Sequence, residues 1–163
     1  MLEAEINGSY EDTVLNEVAI NRSGLCRLIN VAVFVNGELL DVISGDGVLI
    51  STPTGSTGYN LSAGGAVVKP EAELIMITPI CPHSLTSRGV ILSAEDEISV
   101  EIRQNRRGPE VSAVATFDGR RAVELNTEDR IVVKRSEYST KMVQLDERTF
   151  FEVLRSKLGS KEQ

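Results

Sequence analysis

Residues 28–43 read LINVAVFV-NG-ELLDVI, two apolar runs separated by Asn36-Gly37. Asn-Gly between such runs is the strongest short-range hairpin signal, because a two-residue type I′ turn holds both central residues at positive φ. The stretch therefore reads as an antiparallel strand pair. Working outward, short β-type runs recur at residues 13–20, 48–51, 74–77, 90–93, 98–102, 111–117, 121–125, 130–135 and 141–145. Asp118-Gly119 supplies a second hairpin signal. Strands this frequent, with few helical patterns between them, predict a mainly β fold, a sandwich of antiparallel-rich sheets. A short helix is expected after Thr57, closed by Gly64-Gly65. A second is expected over residues 147–158, capped by Asp146 and stopped by Gly159. Its apolar stripe, Phe150, Phe151, Val153, Leu154 and Leu158, has no obvious partner in a lone domain.

A chain of 163 residues suits one domain. We expect it to span residues 1–158, with 159–163 as a frayed tail. Hydrophobic residues make up 41% but aromatics only 4%, and Trp is absent, so aliphatic side chains must fill the core. A net charge of −7 argues against nucleic acid as a partner and against an anionic membrane surface. Cys26 and Cys81 form no C-x-x-C and no secreted disulfide framework. They are expected to be reduced and half-buried, which favours a cytoplasmic location. No apolar run approaches membrane-spanning length, and the N-terminus does not read as a signal peptide.

The chemistry concentrates in residues 45–65, GDGVLISTPTGSTGYNLSAGG. A strand, a hydroxyl-rich turn and a helix start make a common nucleotide-holding device, since the turn offers backbone N–H groups and hydroxyls. The stretch has no Lys for a P-loop. Its Ser56 lacks the G-x-S-x-G spacing of a hydrolase elbow, and no G-x-G-x-x-G follows the strand. A hydroxyl-capped helix after a core strand remains the plain alternative.

STPTGSTGYNLSAGG resembles the C-terminal-domain signature of the NAD kinase family. LNEVAI at residues 15–20 resembles that family's Asn-Glu motif, and PHSLTSRGVIL at 82–92 the segment that follows, in the family's order and at about its spacing. The tail through Phe117-Asp118-Gly119 fits more loosely. The resemblance implies the C-terminal domain of an enzyme that phosphorylates NAD to NADP. The phosphoryl donor would be ATP or polyphosphate, with a divalent cation such as Mg²⁺. The family's Gly-Gly-Asp-Gly loop, whose Asp is the proposed base, belongs to an N-terminal α/β domain absent from this chain. No catalytic residue is therefore expected here, and the fragment alone is expected to be inactive. Ser44-Gly45-Asp46-Gly47 only looks like that loop. Partners implied by the resemblance are NAD and NADP, the N-terminal domain and further copies in a homodimer or homotetramer.

Carried over by position, Asn16 and Glu17 would contact NAD. Adjacent residues on a strand face opposite ways, so this requires the strand to end or bulge there; otherwise they are an exposed polar pair. Asp46 would contact the dinucleotide, or else is a turn aspartate. Thr57, Tyr59 and Ser62 would supply adenine and ribose contacts, with Tyr59 and Ser62 on one helical face and Thr54 as an additional candidate. Gly58 stands where relatives usually have Ala, which loosens the helix start by up to about 1 kcal/mol and leaves room beside the base. Arg27 matches a basic family position, and is otherwise a surface Arg. Cys81 falls where relatives use the backbone, and Arg120 stands where many have Gln. His83, the single histidine, reads as structural, and no metal site is apparent. Two other classes remain open: a non-catalytic nucleotide-binding or protein-interaction sandwich domain, and a lipid kinase of the diacylglycerol type, against which the STPTGST and Asn-Glu motifs speak.

Overall fold

The computed structural model describes residues 1–24, 28–104, 112–143, 145 and 147–159. Among the described residues, twelve strands build two six-stranded sheets. In chain order they are β1 Leu2–Ile6, β2 Ser9–Val14, β3 Glu17–Arg22, β4 Ile29–Val35, β5 Glu38–Gly45 and β6 Gly47–Ser51. Then come β7 Leu74–Ile80, β8 Val90–Ser93, β9 Ile98–Arg103, β10 Ala113–Phe117, β11 Arg121–Leu125 and β12 Arg130–Arg135. The first sheet has the order β2-β1-β12-β9-β4-β5 and the second β11-β10-β3-β6-β7-β8. Every pairing is antiparallel.

The inner faces meet in one aliphatic core. Ile20, Ile50, Ile77 and Phe117 come from the second sheet, and Val33, Ile98 and Ile131 from the first. Strand β6 is buried on both faces: Val48 and Ile50 point into the sandwich, while Leu49 packs outward with Ala19, Ile80 and Ala63. Burial on both sides is why this strand reads as a continuous apolar run and not as an alternation.

Asn36-Gly37 and Asp118-Gly119 turn their hairpins at positive φ, as expected. Asn7-Gly8, which joins β1 to β2, does the same with φ of 50° and 79°. It carries the same sequence signal, but the sequence reading passed over it, and with it β1 and most of β2. Three expectations need correcting. The run at 13–20 is not one strand: β2 ends at Val14 in the first sheet, and β3 begins at Glu17 in the second. Residues 141–143 and 145 form no strand. The last helix, α2, runs over Phe150–Leu158 and starts at Thr149, whose hydroxyl and Glu152 form a reciprocal capping box. The expected cap, Asp146, lies outside the described residues, as does Val111. Gly159 ends α2 in the left-handed region, as expected. None of the α2 residues is fully buried: Phe150, Val153 and Leu154 are half-buried, and Phe151 and Leu158 are exposed.

Candidate functional site

The Asn16-Glu17 pair sits where the chain crosses between sheets. The crossing is held from both sides. The Asp118 carboxylate accepts the N–H of Leu15 at 2.8 Å, of Asn16 at 2.8 Å and of Glu17 at 3.0 Å. Opposite, the Thr52 N–H donates to the Asn16 carbonyl at 2.8 Å, and the Thr52 hydroxyl to the Leu15 carbonyl at 2.6 Å. Gly55 lies so close that a Cβ there would stand 2.2 Å from the Asn16 carbonyl oxygen, which only glycine tolerates. The strand has thus ended before Asn16, the condition under which the pair need not face opposite ways.

The hydroxyl-rich turn is a 3₁₀ turn over Thr54–Thr57 followed, after Gly58, by a single-turn helix α1 over Tyr59–Ser62. The residues directly before the two elements, Pro53 and Gly58, make no side-chain cap, but the Thr52 hydroxyl accepts the Gly55 N–H at 3.0 Å, so a hydroxyl does hold the start of the 3₁₀ turn. Two of the turn's hydroxyls, those of Thr52 and Ser56, serve the fold. Ser56 bonds both polar backbone groups of Val68, and the fully buried Asn60 amide donates to the carbonyls of Ser56 and Ala66. Thr78 donates to the Asn60 carbonyl oxygen at 2.6 Å. Asn60 therefore ties α1 to β7, and this fixes the outward-facing residues on either side of it.

Beside α1 opens a cleft of about 680 Å³ lined chiefly by Asn21, Arg22, Asp46, Tyr59, Ser62 and Cys81. Arg22 Nε donates to Asp46 Oδ1 at 2.6 Å, and both side chains remain about one-third exposed. The Tyr59 hydroxyl donates to Asn21 Oδ1 at 3.3 Å. Burial pushes the Tyr59 phenol above its usual range, and Cys81, Asp46 and Glu17 push the same way. The phenol stays a neutral donor at the cleft wall. Glu17 lies behind Gly58, whose hypothetical Cβ would meet Glu17 Oε2 at 3.1 Å. That oxygen is buried and has no partner. Burial raises the Glu17 carboxyl above its ordinary value and the Asp118 carboxylate adds to this, while the Tyr59 backbone N–H pulls it down.

Four of the residues singled out in the sequence, Asp46, Tyr59, Ser62 and Cys81, share this cleft. Gly58 and Glu17 touch behind it. Thr57 is exposed at the end of the 3₁₀ turn. Thr54 faces elsewhere, into a smaller hollow of about 250 Å³ with Met1, Leu15 and Pro53. Arg27 and Cys26 lie outside the described residues. Cys81 is exposed and not half-buried as expected, and it adopts a φ of 44°, uncommon for a residue with a side chain. His83 is exposed and is not part of the cleft wall; its N–H donates to the Ser44 carbonyl. Arg120 reaches Asp118 at 3.7 Å and Asp12 at 3.8 Å.

Sequence reasoning passed over Arg22, Asn21, Asp118 as a clamp, and Asn60. The pairing of Asn21 with Gly47 places Arg22 beside Asp46, but that register follows only from the assembled sheet. Among the described residues no group of three or more His, Cys, Asp and Glu is arranged to hold a metal ion. No described helix is long and apolar enough to cross a membrane.

Residues 15–145 match the family described as the ATP-NAD kinase C-terminal domain. The chain is 48% identical to an NAD kinase of Lachnoclostridium phytofermentans over 98% of its own length and 56% of that protein's. It is 45% identical to an NAD kinase of Lachnospira eligens over 91% of the chain and 54% of the relative. Among solved structures, yeast NADH kinase complexed with NADH superposes with a TM-score of 0.87 at 30% identity, covering 99% of this chain and 50% of the other. An NAD kinase from Archaeoglobus fulgidus in complex with ATP gives a TM-score of 0.70 at 29% identity, covering 84% and 51%. Fold and site thus define a β-sandwich with an open cleft of about 680 Å³ beside α1. The chain belongs to the ATP-NAD kinase C-terminal domain family, and it spans about half the length of the curated relatives it matches.

Proposed function

We propose that this domain binds NAD in the cleft beside α1 and presents the adenosine 2′-hydroxyl for phosphorylation in an NAD kinase. The observation that carries the reading is the convergence of Asp46, Tyr59, Ser62 and Cys81, from three separate parts of the sequence, on one cleft with Glu17 directly behind it. Asn16, Glu17 and Asp46 accept hydrogen bonds from ribose hydroxyls and amides. Tyr59 and Ser62 offer a ring and a hydroxyl on one wall. Arg22 supplies the positive charge that an overall acidic chain needs near a pyrophosphate. Thr57, Gly58 and the Cys81 backbone complete the contacts, with Thr54 and Arg27 at the margin.

In the transfer, the 2′-hydroxyl oxygen bonds to the terminal phosphorus of ATP or polyphosphate and the bond to the bridging oxygen breaks. The hydroxyl proton passes to a base on the other half of the enzyme. Such catalysis rests on positioning and charge stabilisation. This domain positions the acceptor. The N-terminal half supplies base and donor site, and the cation rides on the donor's phosphates. The solved relatives bound to NADH and to ATP support both substrates. Exposed Phe151 and Leu158 on α2, and Leu39, Leu40 and Val42 on the β5 edge, suit docking to the N-terminal half and to further copies in a homodimer or homotetramer. A cytoplasmic site of action fits the free thiol.

Isothermal titration of the chain with NAD and NADP, beside an Asn16→Ala, Glu17→Ala double variant, tests this. Binding lost in a folded variant supports the assignment. Equal affinity in both proteins, or NADP formation by the chain alone, overturns it.

A further inference from the structure

Three hairpins of this fold turn on an Asx-Gly pair, and two of them use Asn. Asn7 accepts the Arg130 N–H and donates to Asp129, while Asn36 accepts the Glu97 N–H and donates to Asp96. An amide side chain, with one acceptor and one donor, fits that job. The third hairpin uses Asp118, which accepts three N–H groups and donates none. Its side chain is only 10% exposed, with the acidic Glu17 near it on one side and the Arg120 guanidinium 3.7 Å away on the other. What the carboxylate adds is a second acceptor oxygen and charge-assisted bonds. All three donors belong to Leu15, Asn16 and Glu17, more than a hundred residues away along the chain. The Asp118 N–H also donates to the Glu17 carbonyl at 3.0 Å.

We infer that Asp118 is a positioning residue for the dinucleotide, acting through the backbone of the Asn16-Glu17 crossover. It rests on the reading of Asn16 and Glu17 as NAD contacts. With Thr52 and Gly55 on the other side, Asp118 leaves the crossover a single conformation. The two side chains then meet the ligand preorganised, and binding does not bear the cost of ordering them.

The test is NAD titration, thermal melting and amide hydrogen exchange on the wild-type chain and four variants. These are Asp118→Ala, Asp118→Asn, Glu17→Ala and, as a control, Asp96→Ala. Asp96 also clamps a turn, accepting the Ser93 N–H and the Asn36 amide, but it does not line the cleft. We expect Asp118→Ala to weaken NAD about 10- to 100-fold and to speed exchange at the amides of residues 15–17. Asp118→Asn keeps one acceptor oxygen and should fall between it and the wild type; if the alanine variant does not fold, the asparagine variant carries the comparison. Asp96→Ala should lower the melting temperature with NAD affinity intact. Wild-type affinity in a folded Asp118 variant, with Glu17→Ala weakened, overturns this inference alone. So does an affinity loss that Asp96→Ala reproduces. A wild-type chain that does not bind NAD, or a Glu17→Ala variant that binds as well as wild type, overturns the acceptor-site reading and this inference with it.

Discussion

Glu17 and Gly58 are packed so that a Cβ on Gly58 would stand 3.1 Å from Glu17 Oε2. The Gly55 carbonyl oxygen would stand 3.2 Å from the same Cβ, so a larger side chain meets both the carboxylate and the backbone of the preceding turn. Gly58→Ala should leave the fold intact, with the gain of up to about 1 kcal/mol from lost unfolded-state freedom offset by these two close contacts. The same change displaces Glu17 by a few tenths of an ångström, and NAD affinity should fall a few-fold. Melting curves and calorimetry on one preparation check both. A variant that melts lower and binds more tightly would contradict the geometry.

Glu17→Gln should show a pH-dependent gain in stability. The carboxyl is raised in the fold above its ordinary value of 4.5, first by burial and then by Asp118. An acid raised in the folded state disfavours folding once it must ionise. The cost is absent below about pH 4, grows as pH rises through the ordinary value, and is complete above the raised one. Gln removes it. The melting temperature of the variant should therefore exceed that of the wild type at pH 7, with the difference vanishing in acid. Identical melting at both pH values would mean that Glu17 is not held as described. NAD binding should weaken in the same variant, which separates function from stability at this position.

Asn60→Ala should be among the most damaging single changes outside the aliphatic core. It strands the Thr78 hydroxyl and the carbonyls of Ser56 and Ala66, all of which it now satisfies. Unpaired buried polar groups cost about 1–3 kcal/mol each, so a total of about 3 kcal/mol is expected. Urea unfolding should show a lower midpoint with an unchanged slope.

The Arg22–Asp46 pair should matter more for binding than for folding. Both partners are about one-third exposed, so a double-mutant cycle of Arg22→Ala and Asp46→Ala should give a stability coupling below about 1 kcal/mol. Each single variant should nonetheless weaken NAD, because each removes a charged wall of the cleft. Raising the salt concentration should erode the Arg22 contribution first.

The hairpins, the aliphatic core and most strand positions were legible in the sequence. They rest on local chemistry: Asx-Gly tolerance of positive φ and short β-branched runs. Asn7-Gly8 carried that signal as plainly as Asn36-Gly37. The motif around residues 45–65 also announced a nucleotide-type turn, and Asp46, Tyr59, Ser62 and Cys81 do share a cleft. The run at 13–20 misled because its apolar residues continue through the crossover. Periodicity registers which residues are buried, and not which of two sheets buries them.

What the sequence determined by itself, then, was most of the later strands, two of the three Asx-Gly turns and the family. Each is written in neighbours along the chain. The tertiary structure alone decided that Asp118 would hold Leu15, Asn16 and Glu17, that Arg22 would meet Asp46, and that Asn60 would be spent on the fold while Tyr59 beside it faces the cleft. Those relations depend on the register between strands and on which sheet each joins. A carboxylate and the three amides it accepts can lie more than a hundred residues apart and leave no local trace of one another.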